Sequence, residues 1–246
     1  MSLLNTLAKQ DNVQEDKDFL GGDRVWETDV YPCTITLAYL GKSSGGATTV
    51  TLHYKNEDGS TGRNTQFLTS GTAKGGRNYY EKDGKRYYLP GYNNLDAICQ
   101  MAVGKGADQM ESEIKQVKLY DFELRKETPQ AVECLTELHG KKIVFAVQKQ
   151  TVDKTVKDAA GNYQTTGDTR DENEIVKIFD AESGKTIAEI RESKDATHMT
   201  EWVERNKGKT LNKVKHEGGA TGTAGAPKAA GAAPAKTSLF AKKAAE

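Results

Sequence analysis

Residues 30–40 (VYPCTITLAYL) crowd apolar and β-branched side chains together, and Ile35, Leu37 and Tyr39 alternate with smaller or polar neighbours. A period of two sends alternate side chains to opposite faces of a strand, so this pattern predicts a strand with those three residues on one side. Residues 47–55 repeat the pattern with Val50, Leu52 and Tyr54, and the turn formers of residues 41–46 separate the two runs. Runs joined in this way form an antiparallel pair. Further alternation predicts a strand through Tyr120, Phe122 and Leu124, and another through Ile143, Phe145 and Val147 after a turn at His139-Gly140. A last strand pair is expected at residues 174–180 and 186–192, connected through residues 181–185.

Two segments follow the helical period instead. Leu95, Ile98, Cys99 and Ala102 fall at i, i+3, i+4 and i+7, behind Asn93 or Asn94 as N-cap and ahead of Gly104 as terminator. Met199, Trp202 and Val203 share a second helical face, with Thr197 as candidate cap and Gly208 as stop. Both stripes are expected to face a core. Many short strands with one or two helices predict a mainly β protein built as a closed or nearly closed barrel.

Composition changes abruptly near Gly218. From there to Pro234 the chain is Gly, Ala, Thr and Pro with a single Lys and no large apolar residue. Such a segment buries too little surface to offset its ordering entropy, so it reads as a disordered linker. It ends in Ser238-Leu239-Phe240-Ala241, and the two large apolar residues on a tether predict a short docking motif for a partner protein. The expected organisation is an N-terminal arm over residues 1–24, a domain over 25–217 and a tail over 218–246. No apolar run exceeds five residues and no basic leader precedes one, which predicts neither a membrane span nor a signal peptide, and a cytoplasmic protein. Cys33, Cys99 and Cys134 are odd in number and widely spaced, fitting reduced, buried thiols.

The 35 basic and 35 acidic residues cancel, but not locally. Residues 30–95 carry 8 basic against 4 acidic groups, and residues 205–246 carry 9 against 2. Nucleic acid responds to local potential, so a neutral total does not exclude it as a partner. The most informative segment is residues 74–92 (KGGRNYYEKDGKRYYLPGY), which holds five of the ten tyrosines and five basic residues. Asp83-Gly84 is the pair favoured by a two-residue type I′ turn. A hairpin centred there pairs Lys82 with Lys85, Glu81 with Arg86, Tyr80 with Tyr87 and Tyr79 with Tyr88. One face then carries Tyr80, Lys82, Lys85 and Tyr87, an aromatic and cationic surface suited to single-stranded nucleic acid, whose bases stack and whose phosphates need cations. The other face carries the Glu81–Arg86 ion pair with Tyr79 and Tyr88, and is expected to lie against the barrel. Arg77 and Lys42, from neighbouring Gly-rich loops, complete a candidate DNA-contacting set of Lys42, Arg77, Tyr80, Lys82, Lys85, Arg86 and Tyr87.

Catalytic signatures are missing from the sequence. The four histidines are isolated, no nucleophile elbow or phosphate-binding P-loop occurs, and no cofactor is implied. The acidic run of residues 168–174 (DTRDENE) offers carboxylates of the kind metal-dependent nucleases use, although runs beside turns are mostly solvated.

Several short motifs resemble single-stranded DNA-binding proteins of tailed bacteriophages. They are Ala38-Tyr39-Leu40-Gly41-Lys42-Ser43, the Asp-Gly hairpin ending in Tyr88-Leu89-Pro90-Gly91, the Leu138-x-Gly140-Lys141 turn, and the linker with an apolar tip. The resemblance implies an OB-like fold that coats template strands during phage replication and recombination; the apolar tip at Leu239 and Phe240, read from its composition, is the expected docking point for replication or recombination proteins. The chain departs from that pattern in its tail, which is basic (Lys228, Lys236, Lys242, Lys243) where such tails are often acidic. The expectation is therefore a sequence-tolerant single-stranded DNA binder without enzymatic activity. Two other readings stand beside it, a phage structural or adaptor protein and a metal-dependent nuclease.

Overall fold

A computed structural model describes residues 25–121, 124, 126–158 and 163–215. The expected N-terminal arm, the Gly/Ala/Pro linker and the Leu239–Phe240 tip lie outside the described residues, as does Phe122.

Strand β1 (Asp29–Lys42) organises the protein by changing partners halfway. From Cys33 to Lys42 it pairs antiparallel with β2 (Thr48–Asn56), which pairs in turn with β3 (Thr61–Phe67). On its other side the first half of β1 pairs with β8 (Lys142–Lys157), from Asp29 opposite Val147 to Thr34 opposite Lys142. Its far end pairs with β7 (Lys126–Cys134) at Tyr39 and Leu40. β6 (Glu113–Asp121) lies antiparallel to β7, and β9 (Tyr163–Phe179) lies antiparallel to β8. β4 (Tyr79–Lys82) and β5 (Lys85–Tyr88) form a separate two-stranded sheet. A short β10 (Leu211–Asn212) joins β8 in parallel. The architecture is mainly β, an OB-like and partly open antiparallel barrel, with three α-helices among the described residues.

A β-bulge between Ile35 and Leu37 changes the expected register. The extra residue, Thr36, switches the inward side: Cys33 and Ile35 are buried before it and Ala38 after it. Leu37 and Tyr39 therefore do not share the face of Ile35, contrary to simple alternation. β2 and β8 follow the sequence pattern, with Val50, Leu52, Tyr54, Ile143, Phe145 and Val147 all in the core. Leu124 sits in a turn rather than continuing the strand of Tyr120.

The ladder does not close between β3 and β9. Two side-chain amides of β3 span the gap: Asn64 donates to the Asn173 carbonyl (3.3 Å) and Gln66 to that of Ile175 (3.4 Å), which also accepts from the Asn94 amide (3.1 Å). Helix α1 (Pro90–Val103) packs beside this seam and buries Leu95, Ile98 and Cys99 in the barrel, as its spacing predicts. Its start differs from the expected Asn cap. Leu89 is the N-cap and Pro90 opens the first turn, where a missing N–H is harmless. Gly91 abuts β3 so closely that a Cβ would lie 2.4 Å from the Phe67 carbonyl oxygen. Gly104, in the left-handed region, ends the helix as expected.

Residues 186–192 do not form a strand, and β9, which contains residues 174–179, pairs with β8 instead. A local capping box overrides the apolar spacing: the Thr186 hydroxyl accepts from the Glu189 N–H, and the Glu189 carboxylate accepts from the Thr186 N–H, opening helix α2 (Ile187–Arg191). The other oxygen of Glu189 accepts from the N–H groups of Thr197 and His198, both at 2.9 Å, at the start of helix α3 (His198–Asn206). Thr197 holds the N-cap position, but its side chain makes no capping bond. Met199 and Trp202 of α3 pack with Val144, Ala146 and Phe179 in a second, smaller cluster.

Burial alone would raise the Glu189 pKa, but the backbone donors of Thr186, His198 and Thr197 and the Thr186 hydroxyl outweigh it and pull it from 4.5 to about 2. A carboxylate held low in the folded state stabilises fully above its unfolded pKa and loses that contribution as pH falls toward the folded value. Between pH 5 and pH 2 this site is expected to lose on the order of 3 kcal/mol. Urea unfolding of Glu189→Gln should show lower stability at pH 6 and a flatter acid dependence; parallel curves for the two proteins would assign the acid sensitivity elsewhere.

All three cysteines are buried and free, and burial pushes the thiols of Cys33 and Cys99 up to about 12. Among the described residues no helix is long and apolar enough to cross a membrane.

Candidate nucleic-acid interface

The hairpin turns at Asp83 (φ 52°) and Gly84 (φ 71°), the two positive φ angles a type I′ turn requires. Its register matches the sequence reading at every pair, from Tyr79 opposite Tyr88 to Lys82 opposite Lys85. Alternation then brings Tyr80 and Tyr87 together on one face. Their rings lie 5.6 Å apart and nearly parallel, at 27°, and are 45% and 44% exposed. Lys82 and Lys85 sit beside them at the exposed tip.

The opposite face is built differently from expectation. Arg86 pairs with Glu81 at 3.0 Å, as the register predicts, and its guanidinium also lies 5.0 Å from the Tyr79 ring centre. Arg77 approaches the same ring at 5.7 Å. This face is only partly covered: Tyr79 is half-buried, whereas Tyr88 is 54% exposed, more than Tyr80 or Tyr87, and packs on Tyr92 of α1 at 4.8 Å. The hairpin shares no ladder with the large sheet. It is held at its base, where Leu89 N–H donates to the Asn78 carbonyl and Ser70 N–H to that of Arg77.

Between the hairpin and the body runs a groove of about 760 Å³. Tyr79 and Tyr80 of the hairpin, Ser43 and Gly45 of the β1–β2 loop, and Lys74 and Arg77 from the segment before β4 line it. The structure thus gathers Arg77 and Tyr80 at one groove, with Lys82, Lys85 and Tyr87 on the adjoining hairpin. Lys42 is exposed at the end of β1, opposite Thr48, and does not line the groove. Arg86 belongs to the Glu81–Tyr79 side, which leaves its charge partly neutralised.

Two features were missed in the sequence. Phe67, at the end of β3, is 55% exposed and lines the groove. The sequence carried no signal for it, because polar Asn64 and Gln66 take the inward positions of β3 and leave Phe67 outward, the reverse of what alternation suggests. The second is the face Leu37 and Tyr39 occupy after the bulge. There Tyr39 lies 5.9 Å from His53, and Thr51 bonds Thr65 across β2 and β3 at 2.9 Å.

The acidic run of residues 168–174 lies within β9, not in a loop, and its side chains are engaged separately. Asp171 accepts from Thr151, Glu172 from Gln150 and Arg170, and Glu174 pairs with Lys213. Among the described residues no three His, Cys, Asp or Glu side chains converge as a metal-holding group.

Set against models of known protein families and against curated proteins, the chain matches none.

Proposed function

We propose that this protein binds single-stranded DNA with little dependence on sequence, and that it shields template strands during phage replication and recombination. The observation that carries the reading is the exposed, stacked Tyr80–Tyr87 pair, flanked by Lys82 and Lys85 and adjoining a groove with Lys74 and Arg77. Stacked bases extend such a pair whatever their identity, and the cations meet phosphates of the same strand. Phe67 offers a further ring along the groove. The replication setting rests on the resemblance of residues 38–43, 88–91 and 138–141 to phage single-strand binders.

A fluorescence-anisotropy titration tests the proposal. A labelled single strand of about 20–30 nucleotides should bind at least about tenfold tighter than the same-length duplex, with affinity falling as salt rises. Equal affinity for the duplex, or no binding at low salt, overturns it. Running the samples on a gel after incubation with magnesium or with EDTA decides the nuclease reading, which requires magnesium-dependent shortening of the strand.

A further inference from the structure

We infer that a cavity beside Arg77 receives one unstacked base of the bound strand, and that Asp108 makes guanine its preferred occupant. This inference rests on the single-strand reading above. The cavity measures about 360 Å³, with Leu40, Leu68, Leu95 and Met110 among its apolar walls and Tyr92 as its aromatic side. That size lies near the lower end of small-molecule sites, enough for one base with its sugar outside.

Position ties the cavity to the groove. It shares Thr69 and Arg77 with the groove under the hairpin. It also shares Asn78 with a hollow of about 390 Å³ between Tyr79, Arg86 and Tyr88. Three concavities therefore meet at Arg77–Asn78. A strand whose phosphate sits at Arg77, with bases stacked toward Tyr80, has its next base at the mouth of this cavity. Single strands are commonly read through splayed-out bases that stack on aromatic rings and hydrogen-bond along their Watson–Crick edges.

The polar groups entering the cavity choose the base. Asp108, Asn78 and Ser112 line it, Asp108 and Ser112 at exposed positions on its rim, and among the described residues their side chains make no hydrogen bond. Burial, with the charges of Asp96 and Asp108, raises the Tyr92 phenol above its ordinary value and keeps it protonated. Carboxylate oxygens are acceptors, so the base that suits Asp108 presents N–H groups to it. Guanine offers two adjacent donors, N1–H and the 2-amino group, which match the two carboxylate oxygens. Thymine offers one N–H between two carbonyls, while adenine and cytosine place an amino group beside a ring-nitrogen acceptor that faces the carboxylate unfavourably. Bidentate, charge-assisted bonds are the stronger kind and discriminate best.

The test uses the full chain and three labelled 20-mers: oligo-dT, the same strand with three guanines, and that strand with inosine for guanine, which removes the 2-amino group. Guanine should improve affinity at least fivefold over oligo-dT, with inosine between. In Asp108→Asn the guanine advantage should vanish; because removing a negative charge strengthens every strand alike, the guanine-to-thymine ratio is the quantity to read. Ser112→Trp, at an exposed position on the cavity wall, should also abolish the ratio, with melting temperature checked for both variants. If oligo-dT binds but guanine gives no advantage, or the advantage survives both substitutions, the cavity assignment is wrong and the single-strand reading stands. If no strand binds, both fall.

Discussion

Phe145→Ala is expected to lower the stability of the folded protein by about 3–5 kcal/mol, the usual cost of truncating a fully enclosed aromatic. Phe145 is completely buried, and its ring meets that of Tyr54 edge-on at 5.0 Å. Tyr54 meets Trp26 at 5.4 Å, and Trp26 meets Tyr31 at 4.7 Å. Four rings thus connect β8, β2, the segment leading into β1 and β1 itself. Removing the innermost ring deletes its burial and its edge-to-face packing, and leaves a void between strands that pair on opposite sides of β1. For a chain of this size the melting temperature should fall by roughly 6–20 °C. Chemical unfolding of the variant measures the loss directly. A loss below about 1.5 kcal/mol would mean that the interior collapses onto the space and that the ring chain does not hold the barrel together.

Tyr80→Ala and Tyr87→Ala should each weaken oligo-dT binding by about 1–3 kcal/mol while leaving the melting temperature nearly unchanged. Both rings are close to half exposed, and their hairpin contributes no ladder to the large sheet, so folding loses little with either. Because the rings touch each other, the double variant should lose less than the sum of the single losses. Tyr88→Ala separates the structure from the sequence reading: a ring against the barrel would make it strongly destabilising, whereas its observed exposure predicts a small change in stability. Lys82→Ala with Lys85→Ala should flatten the salt dependence by roughly 0.7 units of slope for each phosphate left without its lysine. If none of these substitutions changes affinity, the hairpin is not the binding surface.

The hairpin was legible because everything that fixes it is local: Asp83-Gly84 sets the turn, and the turn sets the register of every flanking pair. β2 and β8 were legible for a related reason, since one face of each is buried and alternation reports it. The bulge at Thr36 was not, because it depends on β1 serving β8 on one half and β7 on the other, which no window of sequence contains. Residues 186–192 misled in the opposite way. Their apolar residues suit a strand, while the Thr186–Glu189 box that decides for a helix is worth only one turn and leaves no periodic trace. The position of Glu189 over the start of α3 joins residues eight and nine apart, so Thr197 looked like the cap. The exposure of Tyr88 was hidden for a tertiary reason: alternation tells which side chains share a face, not which face meets the protein. What the sequence could not supply at the site was the groove, whose walls come from the β1–β2 loop, the end of β3 and the segment before β4.

The gap between β3 and β9 has a mechanical consequence. In a closed barrel, strand number and stagger together fix the girth, so no strand moves without breaking a row of backbone bonds. Here no ladder joins β3 to β9, and the seam is bridged by the Asn64 and Gln66 amides, whose bonds tolerate changes of length and angle that a ladder would not. β3 stays laddered to β2 along its whole length, so any give at this seam moves the two strands together. Phe67 stands at the end of β3 and the backbone of α1 rests on it at Gly91, so such a movement would carry the groove's aromatic ring and the helix start with it.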